Sequence, residues 1–234
     1  MKKKVILIIL LVLPIVIYLI FASATHNQLF LPIISKNNLD LPKWESLDKK
    51  SITLKNKITV MGFLGSDIKS IQGNAFNFNQ KIYDKYVGFK DFQVVFLAVD
   101  GSQNQVKELF EKLKGFTENM SAYHVVFASK SQIQAYYDSF KLKGKLNEDC
   151  ATSEVFILDK DINHRGRIGK NKEGVEEYRE SYNTTSAADL HNEMTDDIKI
   201  LLREYRLALK RNQNKENFRL HEKNNITRNF NHEK

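Results

Sequence analysis

A single cysteine, Cys150, stands in a chain of 234 residues, so no disulfide closes within the chain and no Cys–Cys redox couple exists in it. Phosphate-cradling P-loops, dinucleotide-binding GxGxxG turns, GxSxG nucleophile elbows and HExxH zinc helices are all missing. Glycine and serine form no tract, and no internal repeat is visible. A basic binding face is missing too, although the net charge is +8. Lys2, Lys3 and Lys4 carry part of it, and the segment from Lys210 onward holds seven Lys or Arg against three Glu. The body between is nearly neutral, which argues against a nucleic-acid partner.

What is present begins with a basic cluster followed by Val5–Ala22, an uncharged stretch interrupted only by Pro14 and Tyr18. As a helix rising 1.5 Å per residue it would span about 27 Å, near the thickness of a bilayer's hydrocarbon. Residues 1–24 are therefore expected to be an N-terminal transmembrane anchor with its lysines cytoplasmic; the alternative is a signal peptide cleaved after Ala22-Ser23-Ala24. In either case the body is exported, and a single-pass protein of the bacterial inner membrane with a periplasmic C-terminal domain is the expectation. Residues 25–50, broken by Pro32 and Pro42, read as a linker in which Leu29–Ile34 and Trp44 can touch the membrane or cover a domain edge. Residues 51–212 are expected to form the domain, with a short edge strand at Ser51–Leu54. Residues 213–234, rich in Asn, Lys and Arg, read as a disordered basic tail.

The domain is organised around Lys57–Ser70, KITVMGFLGSDIKS. Its apolar run suits a strand buried on both faces, Gly65 breaks it, and Ser66 or Asp67 is placed to cap a following helix. Ile68, Ile71, Ala75, Phe78, Ile82 and Tyr86 recur at helical spacing up to Val87-Gly88. Phe92–Val99 and Tyr123–Ala128 read as further strands, with helices marked by Val106, Leu109 and Leu113 and by the segment from Ser131 to about Phe140. Alternating strands and helices imply parallel pairing. Val155–Leu158 and His164–Ile168 then suggest an antiparallel hairpin. A last helix should begin near Ser186, with Asp189 completing a capping box and Leu190, Met194, Ile198, Leu201, Tyr205 and Leu209 as its apolar stripe.

The Lys57–Ser70 junction resembles that of the Sco/SenC family, membrane-anchored copper and thiol proteins of cytochrome oxidase assembly. In that family a glycine-phenylalanine strand end is followed by two residues and then Cys-x-x-x-Cys. Here Gly62-Phe63 is followed by Leu64 and Gly65, and the two cysteine positions fall on Ser66 and Ser70. The resemblance runs over roughly Lys57–Lys210. It implies a thioredoxin-like α/β fold of the Sco or peroxiredoxin type, a three-layer sandwich around a central mixed sheet. It also places a metal-binding histidine, or the cis-proline of thioredoxins, near Cys150, and neither residue is there.

Each candidate site has a plain structural reading. Ser66 and Ser70 are expected one turn apart on a helix face, as capping hydroxyls; as nucleophiles they would need a base, and no histidine follows nearby. Cys150 reads as a small buried residue, with Glu148 and Asp149 raising its pKa. The other reading makes it a thiol that binds copper or pairs with a partner's thiol. Arg165, Arg167, Lys170 and Lys172 suit an anion or lipid headgroup, or a solvated hairpin edge kept soluble by charge. His124, His164 and His191 have no ligand-spaced neighbours, so no resident metal or cofactor is expected, copper being the one candidate. The sequence thus points to a non-enzymatic binding or assembly module. Its docking surface would lie around Ser66, Asp67 and Thr152, facing a protein partner in the periplasm.

Overall fold

The computed structural model describes residues 10–16 and 30–210, apart from residue 172. Its strands are β1 (Ile33–Ser35), β2 (Glu45–Ser46), β3 (Ile58–Gly65), β4 (Phe92–Val99), β5 (Tyr123–Ala128) and β6 (Ala151–Leu158), then β7 (His164–Arg165), β8 (Arg167–Lys170), β9 (Glu176–Arg179) and β10 (Tyr182–Asn183). Helix α1 (Gln72–Phe78) runs through a π-helical turn, Asn79–Tyr83, into a last turn at Asp84–Tyr86. Helices α2 (Gln103–Lys114) and α3 (Lys130–Ser139) follow, and α4 (195–210) continues from a π-helical turn at Asp189–Met194.

All eight residues of β3 and all eight of β4 are buried, as expected for runs without alternation. The main sheet has the order β1-β7-β6-β3-β4-β5-β2, with β10 also pairing β6. β3 is parallel to β4 and antiparallel to β6, so the central sheet is mixed. One face packs Val60, Phe96 and Val125 against α1, α2 and α4; the other packs Met61, Phe63 and Leu97 against α3. The result is the three-layer α/β arrangement expected of the sequence. Trp44 is a packing residue, meeting Tyr136 edge-on at 5.4 Å.

Several boundaries differ from the expectation. The segment expected as a linker contributes β1 and β2, whereas Ser51–Leu54 is not a strand. Its backbone is engaged by side chains instead: Leu54 N–H donates to Asp40 at 2.7 Å, and the Thr53 carbonyl accepts from Gln93 at 3.0 Å. The expected strand His164–Ile168 divides at Gly166. There the backbone passes so close to Arg179 and Ile34 that a β-carbon has no room, while Gly166 N–H donates to the Pro32 carbonyl. β7 stays in the main sheet, and β8 leaves it to form a separate hairpin with β9. The capping box near Ser186 is half formed. Ser186 Oγ accepts from Asp189 N–H, but the Asp189 carboxylate turns to Arg179 and to Asn183 N–H. Of Val5–Ala22, residues 10–16 are described and helical, and the remainder lies outside the described residues, as does 213–234. No described helix is long and apolar enough to cross a membrane.

The ends of the domain are joined by buried charge. Arg165 pairs with Asp159 at 3.0 Å and Glu204 at 2.5 Å, and its guanidinium also donates to the Leu31 carbonyl. Arg165→Ala would leave Asp159, itself 2% exposed, without its cation. The loss expected for breaking such a pair is about 3–5 kcal/mol, read as a lowered midpoint in urea unfolding. A change within error would show that the network does not bind the ends together.

Candidate functional site

The site expected at the end of β3 is built by two chain segments that meet there. Gly65 has φ +70°, a left-handed conformation open to glycine, and a β-carbon on it would stand 2.8 Å from the Ala151 side chain and collide with the Asp149 carbonyl. This approach lets Ser66 N–H donate to the Asp149 carbonyl at 2.9 Å. It also brings Ser66 Oγ 2.7 Å from the Asp149 carboxylate, which accepts the hydroxyl's hydrogen bond. Lys130, at the start of α3, donates to the Glu148 carbonyl at 2.9 Å and lies 3.4 Å from the same carboxylate. The Ser66 hydrogen bond, with Lys130 second, holds the Asp149 carboxyl below its ordinary pKa. A carboxylate so stabilised is a weak base, and among the described residues no histidine bonds to the pair.

The Asn147–Cys150 loop is fixed by its own side chain: Asn147 Oδ1 accepts from Asp149 N–H at 3.0 Å and Ala151 N–H at 2.8 Å. Cys150 takes φ +57° and turns its thiol inward, where it donates weakly to the Lys130 carbonyl at 3.6 Å. The residue is 5% exposed. Burial pushes its pKa up; Asp149 adds to this and Lys130 opposes it. Thiolate character, which soft-metal binding and disulfide exchange both need, is therefore disfavoured in the folded state.

Ser66 and Ser70 do not share a helical turn. α1 begins at Gln72 with Ile71 as an N-cap that lends no side-chain bond, so neither Ser66 nor Asp67 caps it. Ser70 is exposed and donates to the Asp67 carbonyl at 2.9 Å, within the turn between β3 and α1. The reason is Ile68, which is buried while its N–H is taken by Gln105 at 3.2 Å; this anchors a non-helical turn first. Thr152 stands on the far side of the junction, in a bulge. Gly62 opposes Val155 and Leu64 opposes Ala151, so Thr152, Ser153 and Glu154 face Phe63 alone. Leu64 bulges on the β4 side as well. Bulges of this kind re-aim side chains where a sheet ends beside a site. Between them a cleft lined by Gly62, Ile71, Thr152 and Thr184 encloses about 20 Å³, room for a water and not for an organic ligand. The structure thus brings Ser66 to Asp149 and Cys150, with Asp67, Ser70 and Thr152 around the rim. Asp149 and Lys130 were not foreseen as partners of Ser66, because nothing in sequence spacing links positions so far apart.

The other candidates lie away from this junction. His164 is fully buried, its Nε2 2.6 Å from the Glu180 carbonyl, and burial lowers its pKa. His124 is half-buried on β5 with its pKa lowered for the same cause, and His191 lies 3.2 Å from Lys85 on the surface. Among the described residues no three His, Cys, Asp or Glu side chains are grouped to hold a metal. The basic run is not a solvated edge. Arg165 is buried in its ion pairs, and Arg167 pairs with Asp197 at 2.8 Å, Glu193 at 2.5 Å and Glu177 at 3.1 Å. Lys170 alone is exposed, and Lys172 lies outside the described residues.

No protein-family model matches this chain. No curated protein matches it either. Solved structures do. A SCO1/SenC family lipoprotein from Bacillus anthracis superposes with a TM-score of 0.51 at 16% identity, over 74% of this chain and 99% of its own. BsSco, a member of the Sco family of cytochrome c oxidase assembly proteins, gives 0.53 at 13% identity, over 74% and 98%. The likeness expected from the Gly62-Phe63 junction is therefore found in three dimensions, and the fold is the thioredoxin-like α/β fold of Sco proteins.

The contact between Ser66 and Asp149 has a measurable consequence. In a Cys150→Ala background, Ser66→Cys places a thiol against the Asp149 carboxylate, so its pKa should lie above the free value of about 8.5. Adding Asp149→Asn should lower that pKa and speed reaction with a thiol reagent at pH 7. Equal rates in the two variants would show that the carboxylate does not face position 66.

Proposed function

We propose that the chain is a membrane-anchored, periplasm-facing module of the Sco type that binds and helps assemble a partner without catalysing thiol or copper chemistry. The observation that carries this reading is the tied junction at Ser66. The hydroxyl is spent on Asp149, and the one nearby thiol is buried with a raised pKa. What is left is a rim: exposed Asp67 and Ser70 in the turn after β3, and half-buried Thr152 in the bulge of β6. The likeness to proteins of cytochrome c oxidase assembly supports the same class of role, with a respiratory assembly factor or subunit as the partner. Val5–Ala22 would hold the chain in the bacterial inner membrane as a single span, leaving the domain in the periplasm. No nucleic acid enters this reading.

A second reading has one observation in its favour. Cys150 belongs to the loop that touches Ser66, so a partner able to lift Asn147–Cys150 would meet its thiol at the Sco-like position. Exchange with a partner's disulfide would then form a mixed disulfide and release a partner thiolate.

Photocrosslinkers placed singly at Asp67 and at Lys107, an exposed position on α2, separate a docking rim from an inert surface. In native membranes Asp67 should yield one discrete adduct that survives Cys150→Ala, and Lys107 should not yield it. Loss of the adduct in Cys150→Ala would favour the thiol reading, and identical adducts at both positions would remove the docking rim altogether.

A further inference from the structure

The described domain resumes at Phe30 beside an open groove of about 880 Å³, in which Phe30, Pro32, Ile168 and Ile200 stand among charged side chains of both signs from β8, β9 and α4. Phe30 is 60% exposed and Ile168 44% exposed. Ile168 pairs in register with Tyr178 across the β8–β9 hairpin, so the two side chains leave the same face of it. Tyr178 and Val175, at the hairpin's end, are exposed as well. Three large apolar side chains, Phe30, Ile168 and Val175, thus stand in water around one hairpin and the first described residue. Beside them is the Tyr178 ring, which holds Lys143 over one face at 3.4 Å and donates from its hydroxyl to Glu180 at 2.7 Å. Singly exposed apolar residues need no explanation, but a cluster of them on one element marks an interaction surface.

The position of the cluster identifies what covers it. Leu31 is held at both backbone groups: its N–H donates to Glu204 at 2.6 Å and its carbonyl accepts from Arg165 at 2.9 Å. The chain therefore leaves the domain from a fixed point beside the hairpin. Phe30 follows Ala22, the end of the uncharged stretch, by eight residues. Fully extended, eight residues reach about 28 Å, so a span at Val5–Ala22 keeps this face within that distance of the bilayer. Among the described residues the exposed hairpin charges are of both signs, Lys170 against Glu173 and Glu176, which favours a zwitterionic surface over an anionic one.

We propose that the face made by Phe30 and the β8–β9 hairpin lies against a zwitterionic lipid surface, seating Ile168, Val175 and Tyr178 at the headgroup boundary. This rests on the membrane-anchored reading above, and it adds an orientation. With the hairpin on the lipid, the domain is held in one pose instead of swinging on a tether. β1, which β8 touches, forms one edge of the main sheet, whereas Phe116, between α2 and β5, lies toward the other.

The full chain, reconstituted in phosphatidylcholine vesicles, tests both parts separately. Cys150→Ala/Val175→Cys and Cys150→Ala/Phe116→Cys variants carry an environment-sensitive fluorophore, and vesicle flotation reports anchoring. The expected result is a blue shift at position 175 that brominated acyl chains quench, with neither effect at position 116. Ile168→Cys in place of Val175→Cys guards against a misfolded variant and should behave as position 175 does. Flotation without quenching at 175 or 168 overturns the lipid-facing hairpin and leaves the anchor standing. Failure to float overturns the anchor and the orientation with it. Quenching that appears only when phosphatidylglycerol replaces phosphatidylcholine overturns the zwitterionic assignment in favour of charge recognition.

Discussion

The close approach of the Asn147–Cys150 loop to the end of β3 sets the geometry of the junction around Ser66. Gly65 makes it possible, because a β-carbon at that position would occupy the space of the Asp149 carbonyl. Once the loop is there, three consequences follow from short-range geometry. Asp149 accepts from both the backbone and the hydroxyl of Ser66, Lys130 neutralises the carboxylate from α3, and Cys150 is turned inward with its φ at +57°. A hydroxyl bonded to a carboxylate of lowered pKa, beside a thiol of raised pKa, disfavours attack and soft-metal binding at this junction near neutral pH. Asp67 and Ser70 stay exposed beside this contact, and Thr152 is half-buried.

A second set of constraints holds the domain's ends in place. Arg165 and Arg167 lie on either side of Gly166 and reach different partners: Asp159, Glu204 and Leu31 for the first, Asp197, Glu193 and Glu177 for the second. Asp197 is buried and also accepts from Tyr182 at 2.6 Å. Burial raises its pKa, while Arg167 and Tyr182 act against the rise. Buried pairs of this kind contribute little net stability relative to apolar packing, but losing one partner is costly. Their effect here is to specify where the hairpin and α4 sit relative to β1.

The central elements were legible in the sequence because they depend on runs and periods. Phe92–Val99 and Tyr123–Ala128 stand as strands with the bounds their apolar runs suggest, and the stripe from Leu190 to Leu201 is buried. What escaped depends on contacts between distant residues. β2 is two residues long and exists because it meets Val126 and Phe127. Ser51–Leu54 has strand-like composition but is taken by the Asp40 and Gln93 side chains. Arg165 and Arg167 read as a solvated edge because their six partners are spread from Leu31 to Glu204. At the site, Gly62-Phe63 and Gly65 gave away the junction, while the helix start at Gln72 was set by Ile68 and its bond to Gln105.

Copper(I) titration of the full chain, run beside its Cys150→Ala variant, bears most directly on the proposal that the junction at Ser66 carries no copper chemistry. With Ser66 tied to Asp149 and the thiol buried, both proteins should show the same weak, non-saturating uptake. A saturable site of one copper per chain that Cys150→Ala abolishes would contradict the account and make Cys150 a ligand.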